Sequence, residues 1–128
     1  MSALDLAPIE LEGFSVVPSL DTEALRVVFA GTADLDAVAS LGALLPKLHQ
    51  RAVHHGVPEV QFDFCSLAFM NSSCFKAFVT FIDNAKTAAA GYRIRFITTS
   101  KHYWQRRSLE ALRRLALGIV LIESDQEG

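Results

Sequence analysis

Strand-type and helix-type hydrophobic patterns take turns along this chain, and that alternation leaves few folds open. Val60-Gln-Phe-Asp-Phe-Cys65 places Val60, Phe62 and Phe64 on one side of an extended segment, the period of two that a strand imposes. Arg93-Ile-Arg-Phe-Ile-Thr98 repeats the pattern with Ile94 and Phe96 inward. Phe14-Ser-Val-Val-Pro18 and Leu25-Arg-Val-Val-Phe-Ala30 are β-branched and aromatic. Asp21-Thr22-Glu23 between them has turn chemistry, so a hairpin leads the chain. Ile119-Val-Leu-Ile-Glu123 reads as a last short strand.

Between these runs the period changes. Leu35, Val38, Leu41, Leu45, Leu48 and Ala52 recur at spacings of three and four, one apolar face of a helix. Gly31-Thr32-Ala33-Asp34 breaks the preceding strand and offers its cap; Gly56 and Pro58 end it. Pro46 is expected to kink or split it, because proline lacks an N–H and crowds the preceding turn. Leu67-Ala-Phe-Met70 reads as a short apolar link. Asn71-Ser72-Ser73 then caps a second helix reaching about Ala90, with Phe75, Val79 beside Phe78, Ile82, Ala85 and Ala89 as its inward stripe and Gly91 as its stop. A third helix, capped by Ser100 or Ser108, carries Leu109, Leu112, Leu115 and Ala116 and ends at Gly118.

The order is β-β-α-β-α-β-α-β. A hairpin leading into repeated βα units predicts an α/β mixed sheet, parallel in its later part, with helices packed on it. Residues 1–13 read as a loose lead-in and residues 14–123 as a single domain. Arg93 and Arg95 alternate with apolar partners, which leaves one sheet face only partly covered.

With 128 residues, half of them hydrophobic and a fifth charged, the chain can bury a core without metal or disulfide. Cys65 and Cys74 make no disulfide framework and suit a reducing, cytoplasmic setting. The N-terminus carries Asp5, Glu10 and Glu12 and no base, unlike a signal peptide. Apolar runs fall well short of the roughly 20 residues that span a bilayer, so no direct membrane insertion is expected. Net charge is −2 but uneven. Seven acids face one base up to Asp36, whereas Arg93 to Arg114 holds seven bases and one acid, Glu110. A bulk nucleic-acid binder is usually basic throughout.

Few residues form constellations that could do chemistry. His54 and His55 are adjacent on a helix and point apart, His49 and His102 add no ligand spacing, and no CxxC is present, so neither a metal nor another cofactor is expected. GxSxG, P-loop and GxGxxG motifs are absent, and the lone Asp63 is no catalytic set, so the chain does not read as an enzyme. Cys74 in the first turn of a helix admits a redox reading beside that of a small core filler. Lys101-His-Tyr-Trp-Gln-Arg-Arg107 combines the residue types of binding hot spots, with Tyr103 and Trp104 at its centre. Three readings stay open for it: a helix start tucked on the sheet, a protein contact, and single-stranded nucleic acid. The basic region from Arg93 to Arg114 as a whole leaves small-ligand or nucleic-acid binding as a further alternative.

The strand-turn-helix from Phe62 to Phe78 resembles the STAS domain, the module shared by anti-sigma factor antagonists and the cytoplasmic tails of sulfate transporters. The family pattern is a strand, a short apolar link, then Asp-Ser-Ser/Thr-Gly opening a helix. Here the stretch reads Phe62-Asp-Phe-Cys-Ser-Leu-Ala-Phe-Met-Asn71-Ser72-Ser73-Cys74-Phe75. Ala30-Gly31-Thr-Ala-Asp34-Leu is similar to the family's Gly-x-x-Asp turn before the first helix, and Thr98-Thr-Ser with the 109–117 helix and the 119–123 strand is similar to its closing units. The resemblance runs from about Phe14 to Glu123.

The resemblance implies a bacterial-type regulatory module that binds a protein partner, an anti-sigma factor or related serine kinase. It makes Ser72 the phosphoacceptor candidate, with Ser73 second. The partner-binding face would comprise Asn71, Ser72, Ser73, Cys74, Phe75, Lys76 and Asp34, together with Tyr103 and Trp104. A phosphate there adds about −1.5 to −2 charges at a helix N-terminus, which tolerates an anion while a docked partner is repelled. Asn71 stands where the family has Asp, and Cys74, whose side chain should narrow a partner's approach, where it has Gly. A plain helix cap remains the other reading of this turn. Single STAS domains are also similar to accessory subunits of lipid-transport ATPases and to scaffold components of stress-sensing assemblies, where the turn docks unmodified. A half-covered sheet edge and the Tyr103/Trp104 pair would suit a homodimer.

Overall fold

The computed structural model describes residues 6–124. Its elements run β1 (Ile9–Leu11), β2 (Phe14–Leu20), β3 (Leu25–Ala33), α1 (Leu35–His55), β4 (Glu59–Met70), α2 (Ser72–Thr87), β5 (Arg93–Thr98), α3 (Tyr103–Leu115) and β6 (Val120–Ser124). The mixed α/β architecture expected from the alternating periods is present, with one strand more. Ile9–Leu11, placed in the loose lead-in by sequence, pairs antiparallel with β2.

The six strands lie in chain order, β1-β2-β3-β4-β5-β6. β1, β2 and β3 pair antiparallel, and β3 to β6 are parallel. Successive parallel strands that step in one direction through right-handed crossovers put every crossover helix on the same face. Burial follows that geometry. Val27, Phe29, Val60, Phe62, Phe64, Ile94, Phe96 and Val120 are buried beneath the helices. Their alternates Arg26, Val28, Gln61, Asp63, Arg95 and Glu123 lie on the uncovered face, half-buried or exposed. Arg95 therefore sits on a central strand with an open face, not on an edge.

That open face is laced by polar side chains. Arg95 bridges Glu59 at 2.5 Å and Glu123 at 3.2 Å. Gln61 donates to Glu59 and accepts from Arg26, which also pairs with Asp21. Burial pushes the Glu59 carboxyl up, but the bonds from Arg95 and Gln61 outweigh it and hold it below its ordinary value.

Under the helices the core is largely aromatic. Phe62 stacks on Phe96 at 5.4 Å and meets the edges of Phe78, Phe81 and Phe29 at 5.3, 5.2 and 5.9 Å. Such tilted and edge contacts add about 0.5–1.5 kcal/mol each beyond area burial.

Several local expectations are corrected. Pro46 neither splits nor ends α1, which runs unbroken for 21 residues. Pro46 faces solvent, while Leu41, Leu44, Leu45 and Leu48 on both sides of it bind the helix to the core. The α1 stripe begins at Ala37, not Leu35, which is 74% exposed. In α2 the inward set is Cys74, Phe78, Phe81, Ile82 and Ala85, one position out of phase with Phe75 and Val79, and the helix stops at Thr87. Residues 67–70 are the end of β4, not a link. Neither Ser100 nor Ser108 caps α3; His102 holds the cap position with no side-chain bond. Leu115 is exposed.

Gly31 lies opposite Phe14 with φ +95°, and its amide neighbour Thr32 donates to the Gly13 carbonyl at 2.8 Å. A Cβ on Gly31 would meet the Gly13 oxygen at 2.0 Å, a backbone atom that cannot rotate away. Gly31→Ala is therefore expected to cost at least about 2 kcal/mol, from positive-φ strain plus a forced shift of the β1–β2 turn. Urea denaturation checks it; a midpoint unchanged from wild type would contradict this packing.

Candidate functional site

The carboxyl ends of the parallel strands form one edge of the molecule, and the Asn71 turn stands at its middle. Asn71 is fixed three ways. Its amide donates to Ala33 O at 2.9 Å, continuing the β3–β4 pairing. Its side-chain oxygen accepts from the Cys74 amide at 2.9 Å, and its carbonyl accepts from the Phe75 amide at 3.0 Å. This is an N-cap of the kind worth about 1 kcal/mol. Ser72 and Ser73 then open α2 with both side chains exposed.

Cys74 points the other way. It is fully buried and its Sγ donates to Asp34 O at 3.4 Å, tying the turn to the start of α1. Burial, and then the nearby Asp34 carboxylate, push its thiol pKa up. That is the opposite of an activated thiolate, so the core-filler reading of Cys74 fits and the redox reading does not. The expectation that its side chain narrows a partner's approach is corrected as well, because the thiol faces the core.

The residues singled out by sequence divide into two groups. Asp34, Asn71, Ser72, Ser73 and Lys76 are gathered at this edge. Asp34 is the exposed N-cap of α1, though its carboxylate makes no cap bond. Phe75 is half-buried against the core. Trp104 is a structural fastener: its Nε1 donates to Ala68 O at 2.7 Å and its ring packs 6.3 Å from Phe64. Tyr103, 94% exposed, is the free member of the pair.

Sequence reasoning missed Leu35, Phe69 and Gln105. Leu35 and Phe69, the latter 46% exposed, flank the turn. The signal for Leu35 was angular: six residues before Leu41 on a helix lies about 120° around the axis from it, off the buried stripe. Gln105 is completely buried. Its Nε2 donates to Phe64 O at 2.6 Å and Leu67 O at 2.9 Å, and its Oε1 accepts from Thr98 Oγ1 at 2.5 Å and the Thr99 amide at 3.1 Å. Three of these bonds hold the backbone that leads into the Asn71 turn or into α3, and the fourth takes the Thr98 hydroxyl.

The edge is polarised. Glu12, Asp34 and Asp36 line a recess at the α1 end, and Lys101, Arg106 and Arg107 stand exposed at the α3 end. Among the described residues, no group of three His, Cys, Asp or Glu side chains could hold a metal. The His54 and His55 rings do not point apart as expected but meet edge-on at 5.0 Å. Among those residues, no helix is long and apolar enough to cross a membrane.

No protein-family model matches the chain, and no curated protein matches it in sequence. Solved structures do match. An anti-sigma factor antagonist from Mycobacterium paratuberculosis superposes with a TM-score of 0.61 at 12% identity, over 84% of this chain and 85% of that one. The Bacillus cell fate determinant SpoIIAA in its phosphorylated form gives 0.54 at 18%, over 86% and 92%. A chain from the complex of the diguanylate cyclase SiaD with its activator SiaC from Pseudomonas aeruginosa gives 0.58 at 16%, over 84% and 92%. The fold is thus that of the anti-sigma factor antagonists, the STAS fold.

Two outcomes follow from this geometry. Gln105→Leu strands four buried backbone and hydroxyl partners, and at about 1–3 kcal/mol for each group left unpaired it should cost at least about 3 kcal/mol; thermal or urea unfolding reads it. In the native protein at mildly alkaline pH, iodoacetamide should alkylate Cys65 ahead of Cys74, and denaturation should remove the difference. Peptide mass mapping that finds Cys74 modified first would refute its buried, protonated state.

Proposed function

We propose that the domain is a regulatory protein-binding module, that the Asn71-Ser72-Ser73-Cys74 turn with Asp34, Phe75 and Lys76 is its docking surface, and that Ser72 is the phosphoacceptor. The partner is an anti-sigma factor or a related serine kinase of the cytoplasm. The observation that carries this reading is the contrast within the turn. Ser72 is exposed at the first position of α2, while Asn71 and Cys74 on either side are bonded into the fold. A kinase can reach the hydroxyl without unfolding anything, and the added charge sits where the helix dipole favours an anion. Leu35 and Phe69 give the same edge exposed apolar area beside the turn. A phosphate at Ser72 would place about −1.5 to −2 charges inside that apolar contact, which disrupts a docked interface by desolvation and repulsion.

A second reading has its own observation. Asn71 caps α2 as an aspartate would but contributes no charge beside Ser72. A turn that only docks, as in a constitutive accessory subunit of a lipid-transport ATPase or of a stress-sensing scaffold, needs the cap and not the charge.

Affinity capture from native lysate, with the wild-type domain and Ser72→Asp in parallel and the intact mass of the recovered bait measured, separates the two. The switch predicts a kinase-like or anti-sigma partner on the wild type alone and a bait heavier by one phosphate on Ser72. The same partner on both baits, with no added mass, rejects the switch in favour of fixed docking.

A further inference from the structure

The carboxyl edge that carries the Asn71 turn has unlike ends. At the α1 end a recess of about 300 Å³ lies between the β1–β2 turn and the start of α1. Leu11, Phe14 and Ala37 line it together with Glu12, Asp34 and Asp36. At the α3 end stand the exposed side chains of Lys101, Tyr103, Arg106 and Arg107. Between the ends, Leu35 and Phe69 leave apolar surface open beside the turn, and Lys76 is exposed on α2. None of the three acids and three bases at the two ends is in an ion pair among the described residues. The open sheet face is different: Arg26 and Arg95 are matched there by Asp21, Glu59 and Glu123. Following the ends of β3, β4 and β5, the edge thus runs from unmatched acids through an apolar middle to unmatched bases.

We propose that two copies of this chain pair through this edge, about a two-fold axis that passes near the Asn71 turn. A two-fold axis at the middle of a surface sets each end of one copy against the other end of the second, so every contact is made twice. Glu12, Asp34 and Asp36 of one copy then meet Lys101, Arg106 and Arg107 of the second, and the reverse. Leu35 and Phe69 come together at the axis. Each Tyr103 ring comes to the recess of the other copy, where Leu11 and Phe14 supply apolar contact. A second copy is the occupant that the charges favour. The complement of each end is the other end of the same surface, whereas a partner surface of single sign matches one end and is repelled by the other. The pairing covers Ser72, so a paired copy is closed to the kinase or anti-sigma partner proposed above, but the pairing itself does not rest on that reading.

Sedimentation velocity of the purified whole chain, over a range of concentrations and in low and high salt, tests the pairing. A monomer–dimer equilibrium that weakens with added salt is expected. Asp34→Lys with Asp36→Lys gives both ends of the edge a net positive charge, and Arg106→Glu with Arg107→Glu gives both a net negative one. Each double variant alone should pair at least about tenfold more weakly than wild type. An equimolar mixture of the two should recover a mixed dimer, identified by native mass spectrometry. Arg93→Glu, at the amino end of β5, should leave the equilibrium unchanged. All of these side chains are exposed and the Asp34 carboxylate makes no cap bond, so the variants keep the fold, which circular dichroism checks. A monomer at every concentration overturns the proposal, as do double variants that pair as well as wild type or a mixture that stays unpaired. Association that grows past the dimer with concentration overturns it in favour of open head-to-tail chains. Because no lysate partner takes part, each of these outcomes leaves the capture result at Ser72 as it stands.

Discussion

β5 stops pairing with β4 at Asp63, yet β4 continues to Met70, and the carboxyl edge of the molecule depends on what the remaining β4 backbone bonds to. On its other side β4 is also irregular: Val28 faces Asp63 but Ala30 faces Ser66, and Gly31 faces Leu67 but Thr32 faces Phe69, so two extra residues are absorbed as bulges. Bulges re-aim a strand and leave backbone groups unpaired. In this protein α3 answers both. Gln105 takes Phe64 O and Leu67 O, and Trp104 takes Ala68 O. A buried carbonyl without such a partner would cost about 1–3 kcal/mol. The two buried carbonyls, Phe64 O and Leu67 O, together with the exposed Trp104–Ala68 bond fix where α3 sits.

The consequence is a single rigid edge assembled from three βα junctions. The β3–α1 junction is joined to the β4–α2 junction by the bonds from Asn71 to Ala33 and from Cys74 to Asp34. The β4–α2 junction is joined to the β5–α3 junction by Gln105 and Trp104. Because all three helices of the described residues lie on one face, the opposite face carries none of them and is lined instead by the Glu59–Arg95–Glu123 and Asp21–Arg26–Gln61 side chains. An open sheet face that carries charges resists unwanted pairing and stacking. Charge separation along the chain thereby becomes spatial. Glu12, Asp34 and Asp36 collect at the α1 end of the edge and Lys101, Arg106 and Arg107 at the other, a dipolar surface that would orient a charged partner during approach.

What the sequence discloses and what it conceals follow a physical rule. Periodicity disclosed every long element, because burial against one face repeats at a fixed spacing. Phase was harder. Phe75 and Val79 look as apolar as Phe78 and Ile82, and only the aromatic cluster around Phe62 decides that Cys74, Phe78 and Phe81 point inward. β1 has three residues and no alternation long enough to read, and its pairing with β2 depends on the Gly13–Gly31 approach, which is non-local. The end of β4 looked like a link because its side chains do not alternate across a bulge. Gln105 was hidden altogether, since a glutamine in a basic, surface-like segment gives no sign that four partners from two different segments converge on it. The Asn71 cap was legible for the converse reason, that a cap is local and its residue types are few.

The two departures from the family turn are not equivalent once their side chains are placed. A glycine at position 74 and a buried cysteine there present the same outer surface, because the thiol fills space between α2 and the start of α1 and leaves the approach to Ser72 clear. Asn71 is different in kind. It makes the same bond to the Cys74 amide that a carboxylate would make, so the geometry of the turn is kept while its charge is removed. A neutral cap weakens the attraction to the helix dipole by a few tenths to about 1 kcal/mol, and it also removes the repulsion a second anion at Ser72 would feel. The substitution therefore lowers the electrostatic cost of a phosphate on this turn rather than raising it. The altered motif is no argument against the modification proposed at Ser72.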